Sequence, residues 1–335
     1  MHTLANAADA DWYQLRGEEV LEKSWRAIAL ARRRNDPHAE IWPRFLAAFE
    51  ELARGDLQGA GEHAAEMLAQ AEKLKDRSLL ALACVANENV RRLQGDWQTA
   101  RDLNERGLNL QPSQSWLLSH RALLEYEVGQ VAQGDAYTER MIEVMRATPP
   151  GPVAEYHFPA LLIPIRARIT GNKQWFDIAE QAAQVVRSST NPKPMVTILS
   201  VGHALIPIIQ NDAEAAEQAY TELDQHWRKV GVDIAIVLGM PLVHRVLGLL
   251  AATLNRLSAS AEHFEEALSF CSKAGYRPEL AWTCCDYADT LLQRNNPGDH
   301  EKAISLLDES LAISTELGMR PLMERVLSRR DILRA

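Results

Sequence analysis

Ten histidines, four cysteines and a scatter of arginines and carboxylates are the side chains here that could do chemistry, and their spacing argues against catalysis. No His-Glu-x-x-His, Gly-x-Ser-x-Gly or Gly-x-Gly-x-x-Gly pattern occurs, and no Gly-x-x-x-x-Gly-Lys-Ser/Thr loop is present to cradle phosphates. Cys84, Cys271, Cys284 and Cys285 lack Cys-x-x-Cys spacing, and adjacent cysteines on a helix point apart. That fits neither a zinc site nor a disulfide framework, so the cysteines are expected to be small buried hydrophobes. The expectation is a non-enzyme with no metal and no cofactor, which leaves the chemistry of binding.

Two sets of polar residues stand out for that purpose. Glu51, Arg91 and Glu125 fall at matching positions one helical unit apart, with Asn87 and Arg121 one turn before the last two. Acid, base and acid in that order could form a ladder between units, lining a groove as a polar ligand site. If buried, the ladder adds register more than net stability, because desolvation offsets attraction; a third possibility is that these residues are solvated.

The second set lies in apolar surroundings. Phe158 to Ile165, Met195 to Val201, Ile206 to Ile209 and Ile234 to Leu254 have little polar face, and Arg166, Arg168, His203, His244 and Arg245 are their polar exceptions. Helices apolar all round are either covered on both sides or line a groove. The candidate ligand-binding residues, on a concave face or in a pocket, are therefore Asn87, Arg91, Arg121, Glu125, Tyr126, Tyr156, Arg166, His203, Arg245, Trp282 and Asp286.

These residues must be positioned by a repeat. Ala274-Gly-Tyr-Arg-Pro-Glu-Leu and Leu317-Gly-Met-Arg-Pro-Leu-Met state one pattern twice, with Gly275 and Gly318 separated by 43 residues. In each, Gly supplies a left-handed helix end and Pro opens the next helix. Upstream, Gly55, Gly95, Gly129, Gly171, Asn211, Asn255 and Asn295 recur at intervals of 40, 34, 42, 40, 44 and 40 residues. Small residues follow the first three turns at Ala60, Ala100 and Gly134, where two antiparallel helices must approach closely.

The cadence predicts helices over 12–34, 41–54, 98–110, 115–128, 133–147, 153–169, 175–188, 194–210, 213–229, 234–254 and 259–273, among others. Residues 1 to 11 carry no periodicity and are expected to be frayed, and 12 to 335 to form one solenoid of about seven helix pairs plus terminal helices. The prolines at 159, 164 and 207 would kink their helices unless these start later, and Pro43 is expected in a first turn.

The Gly turn followed by a small residue resembles the tetratricopeptide repeat, with units mostly longer than its usual 34 residues. The expected fold is all-α, a right-handed α-α superhelix of tetratricopeptide-like helix pairs. The runs Glu125 to Gly129, Thr148 to Ala160, Gly275 to Asp289 and Leu317 to Val326 are similar to the repeat region of large bacterial signalling regulators. That resemblance implies a sensor or protein-interaction array, serving a cyclase, ATPase or LuxR-type helix-turn-helix domain on the same or another chain. The implied partner is a protein segment or small effector on the concave face; a free-standing adaptor for extended peptides is the alternative.

Composition narrows the remaining classes. A net charge of −9 gives no footprint for phosphate backbones, so direct nucleic-acid binding is not expected. Arg32 to Arg34 and Arg325 to Arg334 read as helix caps or a solvated face. With no basic-then-apolar leader and no run of 18 apolar residues, a cytoplasmic location away from membranes is expected.

Overall fold

The computed structural model describes residues 2–188 and 201–334. Seventeen α-helices and one short 3₁₀ segment make up its regular structure, with no strand among the described residues. The chain is an all-α helical-repeat superhelix. It opens with α1 (His2–Tyr13) and α2 (Gly17–Arg33), then runs through the pairs α3 (Pro37–Arg54) and α4 (Leu57–Leu74), α5 (Arg77–Gln94) and α6 (Trp97–Leu110), and α7 (Ser115–Glu127) and α8 (Val131–Ala147). Next come α9 (Ala154–Thr170) with α10 (Phe176–Ser188), and α11 (Leu205–Gln210) with α12 (Ala213–Val230). After the 3₁₀ segment Ile234–Leu238 the array ends with α13 (Val243–Thr253), α14 (Leu257–Ala274), α15 (Arg277–Arg294), α16 (Asp299–Leu317) and α17 (Arg320–Arg334).

The turn chemistry read from the sequence is present at every unit. Gly55, Gly95, Gly129 and Gly171 have φ of 83°, 82°, 77° and 72°, and Asn211, Asn255 and Asn295 have φ of 55°, 57° and 53°. Asp56, Asp96 and Asp212 then cap the following helices by accepting backbone N–H bonds. Ala60, Ala100 and Gly134 are fully buried or nearly so where paired helices cross. A Cβ on Gly134 would stand 2.4 Å from the Tyr126 ring. The four cysteines are free and fully buried.

Several boundaries differ from expectation. Residues 2 to 13 form a helix instead of fraying, because Ala8 and Trp12 bury against the first repeats and Asp11, 2% exposed, pairs with Arg16 and Lys23. Helix α3 starts at Pro37 behind the Asp36 cap, which places Pro43 inside it. Pro159 and Pro164 lie within α9, which remains helical through both. The expected helix over 194–210 falls partly outside the described residues; its visible part includes α11. The expected helix over 234–254 is broken: Gly239, at φ 81°, and Pro241 end the 3₁₀ turn, and α13 begins only at Val243. No described helix is long and apolar enough to cross a membrane.

The superhelix closes on itself. Besides stacking on sequence neighbours, α15 meets α5, α17 meets α7 and α9, and the 3₁₀ segment packs on α3. The doubled sequence at 274–280 and 317–323 makes this seal. Tyr276 donates its hydroxyl to the Leu52 carbonyl at 2.5 Å, Trp97 its indole N–H to the Leu317 carbonyl at 2.8 Å, and Arg320 its Nε–H to the Val128 carbonyl at 3.1 Å. The first three repeat turns thus dock on the two late Gly turns.

Candidate functional site

At the centre of the closed array lies Asp286 of α15, 1% exposed. One carboxylate oxygen accepts from Arg168 of α9 and Arg325 of α17, both at 2.8 Å, and the other from Arg245 of α13 at 2.9 Å. Burial opposes ionisation of this carboxyl, but the three guanidiniums outweigh it and hold its pKa far below the usual range. Arg245 also donates to Glu279 at 2.8 Å, and the other oxygen of Glu279 accepts the Leu242 N–H at 2.9 Å. Burial raises the Glu279 pKa, with Arg245 opposing.

Trp282, one turn before Asp286, carries the network across the seal. Its indole N–H donates to Glu127 of α7 at 2.7 Å, and the guanidiniums of Arg245 and Arg325 lie over its ring at 5.5 and 5.8 Å from the centroid. Burial pushes the Glu127 pKa up to about 7, against the Trp282 hydrogen bond and the charges of Arg245 and Arg92. Glu127 and Arg168 nevertheless keep some accessible surface, and both line an internal cavity.

That cavity has a volume of about 50 Å³, space for a few water molecules or a compact ligand. Its polar wall is Arg92, Glu127, Arg168, Arg245 and Glu279, and Trp97 and Trp282 add aromatic surface. Arg92 and Arg168 each retain a buried Nε–H without a protein partner. The segment between α12 and α13 forms another wall. Asn89 donates to the Val237 carbonyl at 2.8 Å and Arg92 to the Ile236 carbonyl at 3.2 Å, while Asp233 accepts the Val243 N–H at 2.7 Å. Burial raises the Asp233 pKa to about 7, opposed by backbone N–H bonds.

Of the residues singled out in the sequence, Arg168, Arg245, Trp282 and Asp286 meet here. The others do not join them. Arg121 and Glu125 pair at 2.7 Å on α7, with Arg101 of α6 completing a bidentate grip on Glu125 at 3.0 and 2.8 Å. Tyr126 donates to Asp135 at 2.9 Å, and Arg166, fully buried, grips the same carboxylate at 2.7 and 3.1 Å. Tyr156 donates to the Thr148 carbonyl at 3.1 Å, and Asn87 bridges α4 and α5 through the Ala64 and Ala83 carbonyls at 2.6 and 2.8 Å. His203 has its Nε2 buried without a partner, and burial, aided by Arg187, lowers its pKa to about 4.

The ladder from Glu51 through Arg91 to Glu125 does not form. Arg91 is exposed and bonds Gln94 at 3.2 Å, Glu51 faces His63, and Glu125 takes its cations from Arg121 of its own helix and Arg101 of α6. Three and four residues along an α-helix share a face, so the register error that matters is which face turns to the neighbouring unit.

Arg92, Glu127, Glu279 and Arg325 were not anticipated as site residues. For Arg325 a signal existed: Asp286 and Asp289 on α15 face Arg325 and Arg329 on α17, and Arg329 grips Asp289 at 3.1 and 3.3 Å. The terminal basic run is therefore not wholly a solvated face. Among the described residues no group of three or more His, Cys, Asp or Glu stands together to hold a metal ion.

No protein-family profile matches the chain, and comparison with curated proteins finds no significant match.

Proposed function

We propose that this chain is a non-catalytic, tetratricopeptide-like regulatory module that receives a small effector in the partly enclosed polar cavity where its early and late repeats meet. The observation that carries the reading is convergence. Arginines of α5, α9 and α13 line one cavity with carboxylates of α7 and α15. A ligand there contacts both sides of the seal, so its binding energy biases closure of the whole array. Such a change can be read by a signalling or DNA-binding domain on the same or another chain.

The cavity favours a compact anion. Three arginines line it against two glutamates, both with raised pKa, and two Nε–H groups lack partners. A carboxylate or phosphate group would pair with the arginines that line it.

The alternative, an adaptor for extended peptides, draws support from one feature. Asn89 and Arg92 hold backbone carbonyls of residues 236 and 237 as a groove holds a peptide. A foreign segment would have to displace this stretch, which makes the enclosed-effector reading the stronger one.

The test is thermal unfolding with acetate, succinate or inorganic phosphate, each against sodium chloride at equal ionic strength. At least one should raise the midpoint saturably, with the effect lost in Arg168→Gln. No saturable shift from any of the three, or one that persists in Arg168→Gln, would remove the compact-anion reading.

A further inference from the structure

A second cavity, of about 260 Å³, lies apart from the polar centre, between α1, α7 and the start of α9. Half of its lining is aromatic, with Trp12 and Tyr13 from α1, Trp116 from α7 and His157 and Phe158 from α9, and the 152–154 stretch, Leu161 and Leu238 supply the rest. No Arg, Lys, Asp or Glu lines it. Its size lies near the lower end of small-molecule pockets and far exceeds a packing defect.

Its polar groups are few and unused. Trp12 is 8% exposed and its indole N–H is buried without a partner, as is Nε2 of His157. Burial lowers the His157 pKa to about 4, so the imidazole is neutral at ordinary pH. A buried indole N–H ordinarily finds an acceptor, and an unmade bond there is costly. The rings are already set at angles: Trp116 meets Phe158 edge-on with centroids 5.2 Å apart, and Trp12 meets Tyr13 likewise at 5.3 Å.

We infer that this pocket binds a small, neutral, planar molecule bearing a carbonyl-type hydrogen-bond acceptor. The aromatic walls take its faces and edges, the Trp12 indole N–H takes its acceptor, and the lack of charged walls selects against ions. Leu238 places the pocket against the 3₁₀ segment, whose Ile236 lines the polar cavity.

Calorimetric titration with coumarin tests this, with naphthalene as the acceptor-free probe and tetramethylammonium as the cationic one. Coumarin should bind saturably at one site. Trp12→Phe should weaken coumarin about fivefold more than it weakens naphthalene, the worth of one hydrogen bond of ~1 kcal/mol, since both probes lose the same ring contact. Val153→Trp, placed at a rim position that is 37% exposed and thus tolerant of change, should abolish binding of both. Absence of saturable coumarin binding, binding untouched by Val153→Trp, or tighter binding of tetramethylammonium would each overturn the inference.

Discussion

Trp282 donates its indole N–H to a carboxylate oxygen of Glu127 at 2.7 Å, although 155 residues separate them in the chain. The bond joins the third repeat to the seventh, and it places a carboxyl group with a pKa of about 7 beside the seal.

The pH dependence of that carboxyl has a definite sign. Between pH 4.5 and 7 the folded chain holds a proton on Glu127 that the unfolded chain has released. Its contribution is therefore full below pH 4.5 and is lost as pH rises through 7. Asp233 acts in the same sense, whereas His157, His203 and His244, each lowered to about 4, cost stability as pH falls below 6.5. The opposing groups make the difference between variant and wild type the useful quantity. Glu127→Gln should gain on wild type by about 2–3 kcal/mol between pH 4.5 and 8, measured by urea unfolding; a difference independent of pH would show an ordinary carboxyl.

The Asp286 hub is a set of buried charges that depend on one another. Arg245→Met leaves Glu279 without its cation and Asp286 with one fewer, and should cost about 3–5 kcal/mol. Combining it with Glu279→Gln should return part of that loss, because the orphaned carboxylate is then neutral. Equal destabilisation in single and double variants would mean that Arg245 acts only through packing.

Two turn glycines separate backbone strain from closure. A Cβ added at Gly171 would have nothing within 4 Å, whereas at Gly55 that atom would meet the Ala274 methyl at 3.0 Å, and a methyl has no rotamer with which to yield. Both substitutions to Ala incur the left-handed cost of about 1–2 kcal/mol. Gly55→Ala should lose about 1 kcal/mol more through overpacking of the seal; equal midpoints would show the turn free of the late repeats.

Asn89 anchors the segment that fills the centre. Asn89→Ala should cost about 1 kcal/mol and speed amide exchange locally over residues 233 to 242, leaving α3 and α5 protected. Uniform loss of protection across the array would instead give Asn89 a global role.

These relationships also mark where the sequence was readable. Turn positions such as Gly55 and Asn211 were legible because left-handed backbone restricts residue type, and Ala60, Ala100 and Gly134 because close helix crossing restricts size. The encounter of Glu127 with Trp282 was not, since it depends on the pitch accumulated over several units. Arg325 reads as solvated because its partners, Asp286 and Asp289, lie on a helix almost forty residues upstream, and no local pattern pairs them with the terminal basic run. The Gly239-Met-Pro241 break was hidden by the unbroken apolar run around it, although Gly and Pro are the strongest punctuation a chain carries. Arg91 failed for a simpler reason: a one-residue error in face sends a long side chain to solvent.

The most direct test of the closed array is a distance between its early and late repeats in solution. Spin labels on cysteines placed at the exposed positions Gln98 and Thr315 would flank the Trp97–Leu317 hydrogen bond. The native thiols are fully buried, with those of Cys84 and Cys285 pushed up to about 11 and 12 by burial, so they should resist labelling. Electron–electron double resonance should give one short, narrow distance that broadens in Asp286→Asn. A long or broad distribution in the otherwise unaltered chain would mean that the superhelix is open, and the enclosed-effector account would fall with it.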